Sequence, residues 1–210
     1  MYLPRHFAES DRARLHALMR EHEFATLVTV VEGKPFATHL PLLLDPDRGE
    51  HGVLLGHMAR ANPQWRGFDG TAEALAIFAG PHAYVSPRLY ATHPSVPTWN
   101  YAAVHAYGAP RLLEEEAARG LLARTVARYE GTGDGAWSMD GLPEDYVAGM
   151  LRGLVAFEIE IARIEGKFKL SQNRPEEDRR RVAAALEGGR DPLGRGVAAL
   201  MRAREEAEQG

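Results

Sequence analysis

Extended segments separated by tight turns are the feature that most constrains the fold of this 210-residue chain. The run FATLVTVV (24–31) is rich in β-branched residues, and FATHLPLLL (36–44) follows it after the turn sequence EGKP (32–35). This spacing predicts a β-hairpin. Pro41 in the second run indicates an edge strand or a bulge, because proline has no amide hydrogen to give to a central ladder.

Four further segments have strand character, at 52–56, 74–86, 98–113 and 154–164. The third of these is predicted to be interrupted at Gly108 and Pro110. The fourth is the clearest, because apolar and acidic residues alternate along it as they do on the two faces of a strand. Its apolar face carries Val155, Phe157, Ile159 and Ile161, and its acidic face carries Glu158 and Glu160.

Helices are predicted between and around these strands. The first begins at Ser10, a good N-cap residue, and its apolar face contains Leu15, Leu18, Met19 and His22. The others are a short helix within 57–68, a helix at 114–129, a short helix near 143–151, and a helical tail from Pro175 that breaks at Gly188-Gly189.

The order of these elements predicts the fold class. About six strands, mostly in sequence-adjacent antiparallel pairs and without regular β-helix-β alternation, favour a small antiparallel barrel with helices packed outside it. The predicted class is therefore α+β, mainly β. We expect residues 1–174 to form the barrel domain with its peripheral helices, and residues 175–210 to form a C-terminal helical extension.

Composition limits the chemistry and the partners. The absence of cysteine excludes disulfides, thiolate zinc sites, iron–sulfur clusters and thiol nucleophiles. A net charge of −4 does not favour nucleic acid as a partner. The first residues carry charge and proline where a signal peptide needs an apolar run, and no segment approaches the roughly 18 apolar residues of a membrane helix. We therefore expect a cytoplasmic protein with no membrane partner.

Metal and nucleophile motifs are weak. Four histidines each lie in or beside a different predicted strand, and no pair has the i, i+4 spacing of a zinc protease motif. These are His39, His57, His82 and His105, and we interpret each as a hydrogen-bonded barrel residue rather than a ligand. Ser86 and Ser171 lack the glycines of a nucleophile elbow. No catalytic residue and no metal ligand is predicted.

The segment GHMARANPQW (56–65) is the first of three that suggest a binding site. It places His57, Arg60 and Asn62 at a predicted strand-to-helix junction. Backbone amides and the helix dipole can meet an anion at such a junction, so a phosphate would fit there.

The other two segments are VPTWNYAAVHAYG (96–108) and EGKFKLSQNR (165–174). The first is predicted to form a strand with a polar face, containing Thr98 and Asn100, and an aromatic face, containing Trp99, Tyr101 and Tyr107. The second is predicted to be extended, with Lys167, Lys169 and Ser171 on one face by period two and Gln172 following them. It is either a solvated strand end or an anion or flavin site, in which the lysines act as point charges.

Seven blocks of the sequence carry a family resemblance that extends from residue 1 to about residue 182. The blocks are MYLPRHF, FATLVT, ATHLPLLLD, GHMARANPQW, IFAGPHAYVSP, VPTWNYAAVHAYG and EGKFKLSQNRPEEDRR. The sequence resembles the PaiB-like family of FMN-binding negative transcriptional regulators, which belong to the FMN-binding split-barrel proteins. The resemblance implies a split β-barrel, of the Greek-key antiparallel type, that forms a homodimer with an FMN site at each subunit interface.

The resemblance also assigns residues to the cofactor. It implies that the flavin phosphate is held near His57, Ala59, Arg60 and Asn62, and that the ring system lies against Thr38, His39 and Leu40 and against Trp99, Asn100 and Tyr101. Lys167 occupies the position of a lysine that follows a glycine in related flavin proteins. With Lys169, Ser171 and Gln172 from the segment above, these residues form the predicted cofactor site.

Three functions remain open at this stage. The family resemblance implies a flavin-binding dimeric repressor of transcription, although the acidic net charge gives no support to direct DNA binding. The alternatives are a small FMN-dependent oxidoreductase and a barrel that binds heme instead of flavin.

Overall fold

The computed structural model describes residues 1–209, with side chains as far as residue 207. Gly210, the last residue of the predicted C-terminal extension, lies outside the described residues. The strands are β1 (Ala8–Glu9), β2 (Phe24–Val31), β3 (Lys34–Pro41), β4 (Leu43–Asp45), β5 (Val53–Ala59), β6 (Ala74–Val85), β7 (Thr98–Gly108), β8 (Pro110–Leu112), β9 (Leu154–Glu160) and β10 (Arg163–Lys169). The helices are α1 (Arg12–Glu21), α2 (Glu115–Glu130), α3 (Glu144–Arg152), α4 (Glu176–Glu187) and α5 (Pro192–Gln209). Short 3-10 helices occupy Arg5–Phe7, Pro63–Gly67 and Pro87–Leu89.

The strands form two mainly antiparallel sheets. The larger has the order β1-β10-β7-β6-β2-β3, and the smaller has the order β4-β5-β9-β8. The hairpin predicted at residues 24–44 is present, with Phe24 opposite Pro41 and Val31 opposite Lys34. Among the described residues neither strand order closes on itself. The mainly antiparallel architecture with a few helices is therefore confirmed, in the form of two open sheets.

Contacts divide the chain into two compact units. The first contains residues 1–18, 79–105 and 165 onward, and the second contains residues 19–78 and 106–164. Strands β6, β7 and β10 contribute residues to both. In the described part of the chain, no helix is long and apolar enough to cross a membrane.

Three local predictions are corrected by the structure. The first helix is capped by Asp11 rather than Ser10, because Asp11 Oδ1 accepts hydrogen bonds from the amides of Ala13 (2.8 Å) and Arg14 (3.3 Å). His57 belongs to β5, which continues to Ala59, whereas the sequence placed it in a short helix. The segment 154–164 is also not one strand, since β9 ends at Glu160 and β10 begins at Arg163.

Strand β9 is buried on both faces, which the alternating sequence did not predict. Glu158 was expected on an acidic, solvated face, but the residue is only 5% exposed. Helices α2 and α3 pack against β9 and cover that face. The small hydrophobic cluster beneath them includes Leu55, Leu121, Leu151 and Ala156.

The other face of β9 packs into the core of the second unit, where two glycines permit close contact. A side chain at Gly56 would place its Cβ 2.6 Å from Leu42 Cδ2 and 2.9 Å from Phe157 Cζ. At Gly108 a Cβ would lie 2.1 Å from the carbonyl oxygen of Glu160. The Phe157 ring also makes an edge contact with Phe68 at a centroid distance of 4.9 Å. Phe157 is therefore held on several sides and is fully buried.

Replacement of Phe157 by alanine is expected to lower the free energy of unfolding by about 3 to 5 kcal/mol, because the lost ring leaves a cavity that its packed neighbours fill only in part. Urea denaturation of the parent and of Phe157→Ala measures the difference. Phe24→Ala is the matched control, because Phe24 is 70% exposed and its loss should cost less than about 1 kcal/mol. Similar losses for the two variants would contradict this account of the core.

Candidate functional site

One group of candidate residues lies near the end of β5, in the second unit. The amide of Asn62 bonds the carbonyl of Ala59 at 2.9 Å, and its side-chain Oδ1 accepts from the amide of Gln64 at 3.0 Å. Asn62 thereby caps the 3-10 helix Pro63–Gly67. Its Nδ2 donates to Thr38 Oγ1 at 2.8 Å. The structure therefore brings Thr38 and Asn62 together, and Asn62 has a structural task as well as its predicted one.

Arg60 is exposed, but its guanidinium group is oriented by backbone carbonyls. Nε donates to the oxygen of Arg152 at 2.8 Å, and Nη2 donates to the oxygen of Leu154 at 2.9 Å. The group lies 5.8 Å from the centroid of the Trp65 ring. A guanidinium has five N–H donors, so a side chain held in this way can still meet an anion. Binding would then use an arginine whose rotamer is already fixed.

Gln64 was not singled out in the sequence, yet it is one of the best-buried polar residues of this unit, at 1% exposure. Its Nε2 donates to the Leu27 carbonyl and Thr29 Oγ1, both at 3.0 Å, and lies 3.4 Å from the Phe36 carbonyl. Its Oε1 is buried without a hydrogen-bond partner among the described residues. Gln64 therefore fastens the β2–β3 hairpin to the segment that carries Arg60.

The remaining candidates of this unit differ in accessibility. His39 is exposed on the edge strand β3, and its Nδ1 lies 3.0 Å from Thr26 Oγ1. Leu40 is buried, and Ala59 is exposed. Burial lowers the pKa of His57 below its ordinary value, so this imidazole is neutral at pH 7.

The other group of candidate residues is centred on β7, in the first unit. Alternation along the strand buries Asn100, Ala102 and Val104, while Trp99 and Tyr101 occupy the accessible face. The face that the sequence analysis described as polar is therefore the buried one. Trp99 is 53% exposed and contacts the rings of His82 and Tyr84 at centroid distances of 6.1 and 5.9 Å. The rings are inclined to one another, with His82 at 44° and Tyr84 at 71° to Trp99, and the exposed Trp99 ring offers a face on which a planar ligand can stack.

Asn100 and Ser171 form a buried pair. Asn100 Nδ2 donates to Ser171 Oγ at 2.9 Å, and the Ser171 hydroxyl lies 3.2 Å from Asn100 Oδ1. Ser171 was predicted to continue the extended face of Lys167 and Lys169, but β10 ends at Lys169 and Ser171 has a φ of 65°. The chain turns at this point because the carbonyl of Ser171 accepts from the amide of Arg174 at 2.9 Å.

Gln172 is engaged within the same turn. Its Oε1 accepts from the amide of Leu170 at 2.7 Å, and its Nε2 donates to the carbonyl of Phe168. Both contacts are local, so the side chain folds back onto its own segment. Its predicted contact with a flavin would require one of these hydrogen bonds to be exchanged.

The two candidate lysines lie close to aromatic rings of the first unit. Lys167 is 8% exposed, donates to the carbonyl of Tyr2 at 2.9 Å, and lies 5.4 Å from the centroid of Tyr101. Lys169 donates to Thr98 Oγ1 and to the carbonyl of Trp99. Burial, together with the charge of Lys167, lowers the pKa of Lys169 below its ordinary value. The lysines thus place positive charge beside the accessible aromatic face of β7.

Asp178 was absent from the sequence-based candidates but anchors the loop that precedes β7. The residue, on α4, is fully buried, and its Oδ1 accepts from the amides of Ala91 (2.6 Å) and Thr92 (3.2 Å). Burial raises the pKa of Asp178, but the hydrogen bonds from these amides outweigh it, so the pKa lies below its ordinary value. The only sequence signal was an acidic first turn of the predicted tail, which equally fits a solvated helix.

The candidate residues thus form two groups, each within one unit. Thr38, Arg60 and Asn62 are in the second unit, and Trp99, Tyr101 and Lys169 are in the first. Among residues 1–207, whose side chains the structure describes, no cluster of histidine and acidic side chains could hold a metal ion. The second unit therefore offers amide, hydroxyl and guanidinium donors, which suit an anionic group, and the first unit offers ammonium donors beside aromatic rings, which suit a planar group.

Comparison with known proteins agrees with this chemistry. Residues 1–163 match the family described as "Putative FMN-binding domain". The chain is 38% identical to "Protease synthase and sporulation protein PAI 2" of Bacillus subtilis over 201 residues, which cover 96% of each sequence.

Two solved structures show a similar fold. The flavocytochrome Anf3 from Azotobacter vinelandii has a TM-score of 0.64 at 17% identity and covers 84% of this chain and 77% of its own. The FAD and heme binding protein from Mycobacterium smegmatis has a TM-score of 0.61 at 20% identity and covers 87% of this chain and 80% of its own. At these identities the similarity concerns the fold alone.

Replacement of Asp178 by asparagine is expected to destabilise the protein most at neutral pH. Because folding lowers the pKa of Asp178, the carboxylate contributes fully above its ordinary value of 3.8, and this contribution is lost as the pH falls. Urea denaturation at several pH values should show the difference between parent and variant shrinking from about pH 5 to pH 3. Asp134→Asn, in an exposed loop, should show no such trend. A pH-independent difference for Asp178→Asn would contradict this role.

Proposed function

This chain belongs to the FMN-binding domain family that its residues 1–163 match, and on this premise we propose that it binds FMN. The family match, which covers most of the chain, is the observation that carries the proposal. The relative that is 38% identical to this chain supports the same proposal, because the similarity covers 96% of both chains.

The residues present suit the parts of FMN. A phosphate dianion needs cations or several donors, and Arg60 with the Thr38–Asn62 pair supplies them in the second unit. An isoalloxazine ring needs an apolar surface with donors at its edge, and Trp99 and Tyr101 with Lys169 supply these in the first unit. When bound, FMN would supply one- or two-electron redox chemistry.

Further parts of the proposal follow from the family. We propose a split-barrel fold and a cytoplasmic homodimer with an FMN site at each subunit interface. The exposed Trp99 supports such an interface, because an aromatic side chain that is 53% exposed gains stability when a partner covers it. Gel filtration with light scattering at micromolar concentration should give a mass of two chains, and a monomer at that concentration would remove the interface from the proposal.

We also propose a regulatory role, that of a flavin-responsive repressor of transcription. The name of the 38% identical relative refers to protease synthesis and to sporulation, which are cellular programmes rather than single reactions. Because the net charge is −4, the electrostatic contribution to DNA binding is small. A mobility shift at about 150 mM salt with non-specific competitor DNA tests the role, since binding that survives there depends on sequence. The absence of a shift, with and without FMN, would contradict direct repression.

Two other functions have specific support and their own readouts. The similar folds of a flavocytochrome and of a FAD and heme binding protein favour a redox enzyme or a heme protein. An FMN oxidoreductase would reduce bound FMN with NADPH under anaerobic conditions faster than free FMN is reduced. A heme protein would give a Soret band on hemin titration. The band should be lost when the ligating histidine is replaced, and His57→Ala and His105→Ala are the variants to compare.

Replacement of Arg60 by alanine is expected to weaken FMN binding by about 1.5 to 3 kcal/mol through the loss of a charge-assisted hydrogen bond to phosphate. Quenching of FMN fluorescence measures the affinity. Arg66→Ala is the matched control, because Arg66 is exposed in the neighbouring 3-10 helix and should leave the affinity unchanged.

The thermal unfolding of Arg60→Ala separates binding from folding, because Arg60 also bonds the carbonyls of Arg152 and Leu154. Unchanged FMN affinity in a folded Arg60→Ala would remove this arginine from the site. No FMN binding by the parent protein would overturn the proposed function itself.

A further inference from the structure

A cleft of about 410 Å³ lies in the second unit, beside α2 and over the smaller sheet. Its apolar lining comes from Leu55 of β5, Leu113, and Leu121 of α2. Gly120 opens the helix side of the cleft, because a Cβ placed there would meet no atom within 4 Å. None of these residues belongs to the proposed FMN site. The volume is within the usual range for sites that bind small molecules, roughly 300 to 1,000 Å³.

Charged groups in this cleft are fixed in place by an acid beneath them. Glu158 lines the cleft and is 5% exposed. Its Oε2 accepts from Arg48 Nη2 at 2.8 Å, and its Oε1 accepts from Arg111 Nε at 2.6 Å. Burial raises the pKa of Glu158, but the hydrogen bonds from these arginines outweigh it, so the pKa lies below its ordinary value. The carboxylate is therefore ionised at neutral pH.

A second arginine lines the cleft from the helix side. Arg124 lines the cleft, and its Nη1 lies 3.2 Å from Asp45 Oδ2. The side chains of Arg48 and Arg124 remain 45% and 50% exposed while these ion pairs form. Each guanidinium has five donors, so each can bind a further anion in addition to its present partner. Of the residues that line the cleft, Arg48 and Arg124 are cations and Glu158 is an anion, so the net charge of the lining is positive.

The free-energy cost of burying the Glu158 carboxylate also favours a role for this cleft in binding an anion. A buried ion pair contributes little net stability compared with well-packed apolar side chains of similar volume. Glu158 lines the same cleft as Leu55, Leu113 and Leu121. What the carboxylate does provide is a fixed orientation for Arg48, which lines the apolar cleft, and for Arg111, its other partner. Fixed arginines bind an anion with less loss of side-chain entropy than mobile ones.

We propose that this cleft binds a small organic acid with an apolar body. The carboxylate of the ligand bridges Arg48 and Arg124, and its apolar part lies against Leu55, Leu113 and Leu121. A cation of the same size is disfavoured by these two arginines. The inference goes beyond FMN binding and is independent of it, because the FMN site and this cleft use different residues.

Isothermal titration of the purified protein with octanoate tests the charge preference, with octylammonium as the oppositely charged probe of the same chain length. Octanoate is expected to bind with a Kd of about 1 mM or tighter. Octylammonium should bind at least about tenfold more weakly, because it loses the ion pairs with arginine. Equal binding of the two, or no binding of octanoate at roughly 10 mM, would overturn the proposal.

Two sets of variants locate the binding. Arg48→Gln with Arg124→Gln should weaken octanoate at least about tenfold, whereas Arg119→Gln, on the same helix but outside this cleft, should not. Gly120→Leu should abolish binding by filling the cleft, and it should fold, because its side chain enters open space on a helix. Ala184→Leu, exposed on α4, is its control.

FMN affinity should be unchanged in all four variants, which separates this proposal from the proposed function. If the double arginine variant does not fold, the Gly120→Leu variant alone decides the location. Octanoate affinity that is unchanged in a folded Gly120→Leu would overturn the assignment to this cleft.

Discussion

Side-chain amides hold the segment that carries Arg60 to the β2–β3 hairpin, and the local geometry of the second unit depends on these amides. Asn62 bonds Thr38, and the buried Gln64 donates to the carbonyl of Leu27 and the hydroxyl of Thr29. The hydrogen bonds of Gln64 Nε2 matter, because a buried donor left unpaired costs about 1 to 3 kcal/mol. These hydrogen bonds also fix the position of Arg60, because Arg60 lies two residues before Asn62.

Most of the cationic candidates are already bonded to the protein's own oxygen atoms. Arg60 donates to the carbonyls of Arg152 and Leu154, Lys167 to that of Tyr2, and Lys169 to that of Trp99. Carbonyl partners fix a cation without neutralising it, because a carbonyl carries no net charge. The charge therefore remains available to an anion, and the side-chain entropy that binding would otherwise cost has already been lost.

The sequence predicted helices, strands and turns well where their bounds depend on neighbouring residues. The hairpin at 24–44, the interruption at Gly108 and Pro110, and the end of α4 before Gly188 all depend on turn residues and periodicity. Partners distant in sequence could not be predicted. Glu158 is buried because α2 and α3 cover it and Arg48 pairs with it from 110 residues away. Asn100 and Ser171 are likewise 71 residues apart.

The buried carboxylate of Asp178 connects α4 to the loop before β7 more closely than either sequence suggests. Its Oδ1 accepts from the amides of Ala91 and Thr92, so these backbone protons are shielded by a group that belongs to a helix. Hydrogen exchange at such amides requires the bond to open, whatever the intrinsic mobility of the loop. The Ala91 and Thr92 protons should therefore exchange only when this loop and α4 separate, and their protection reports how firmly the two segments are held together.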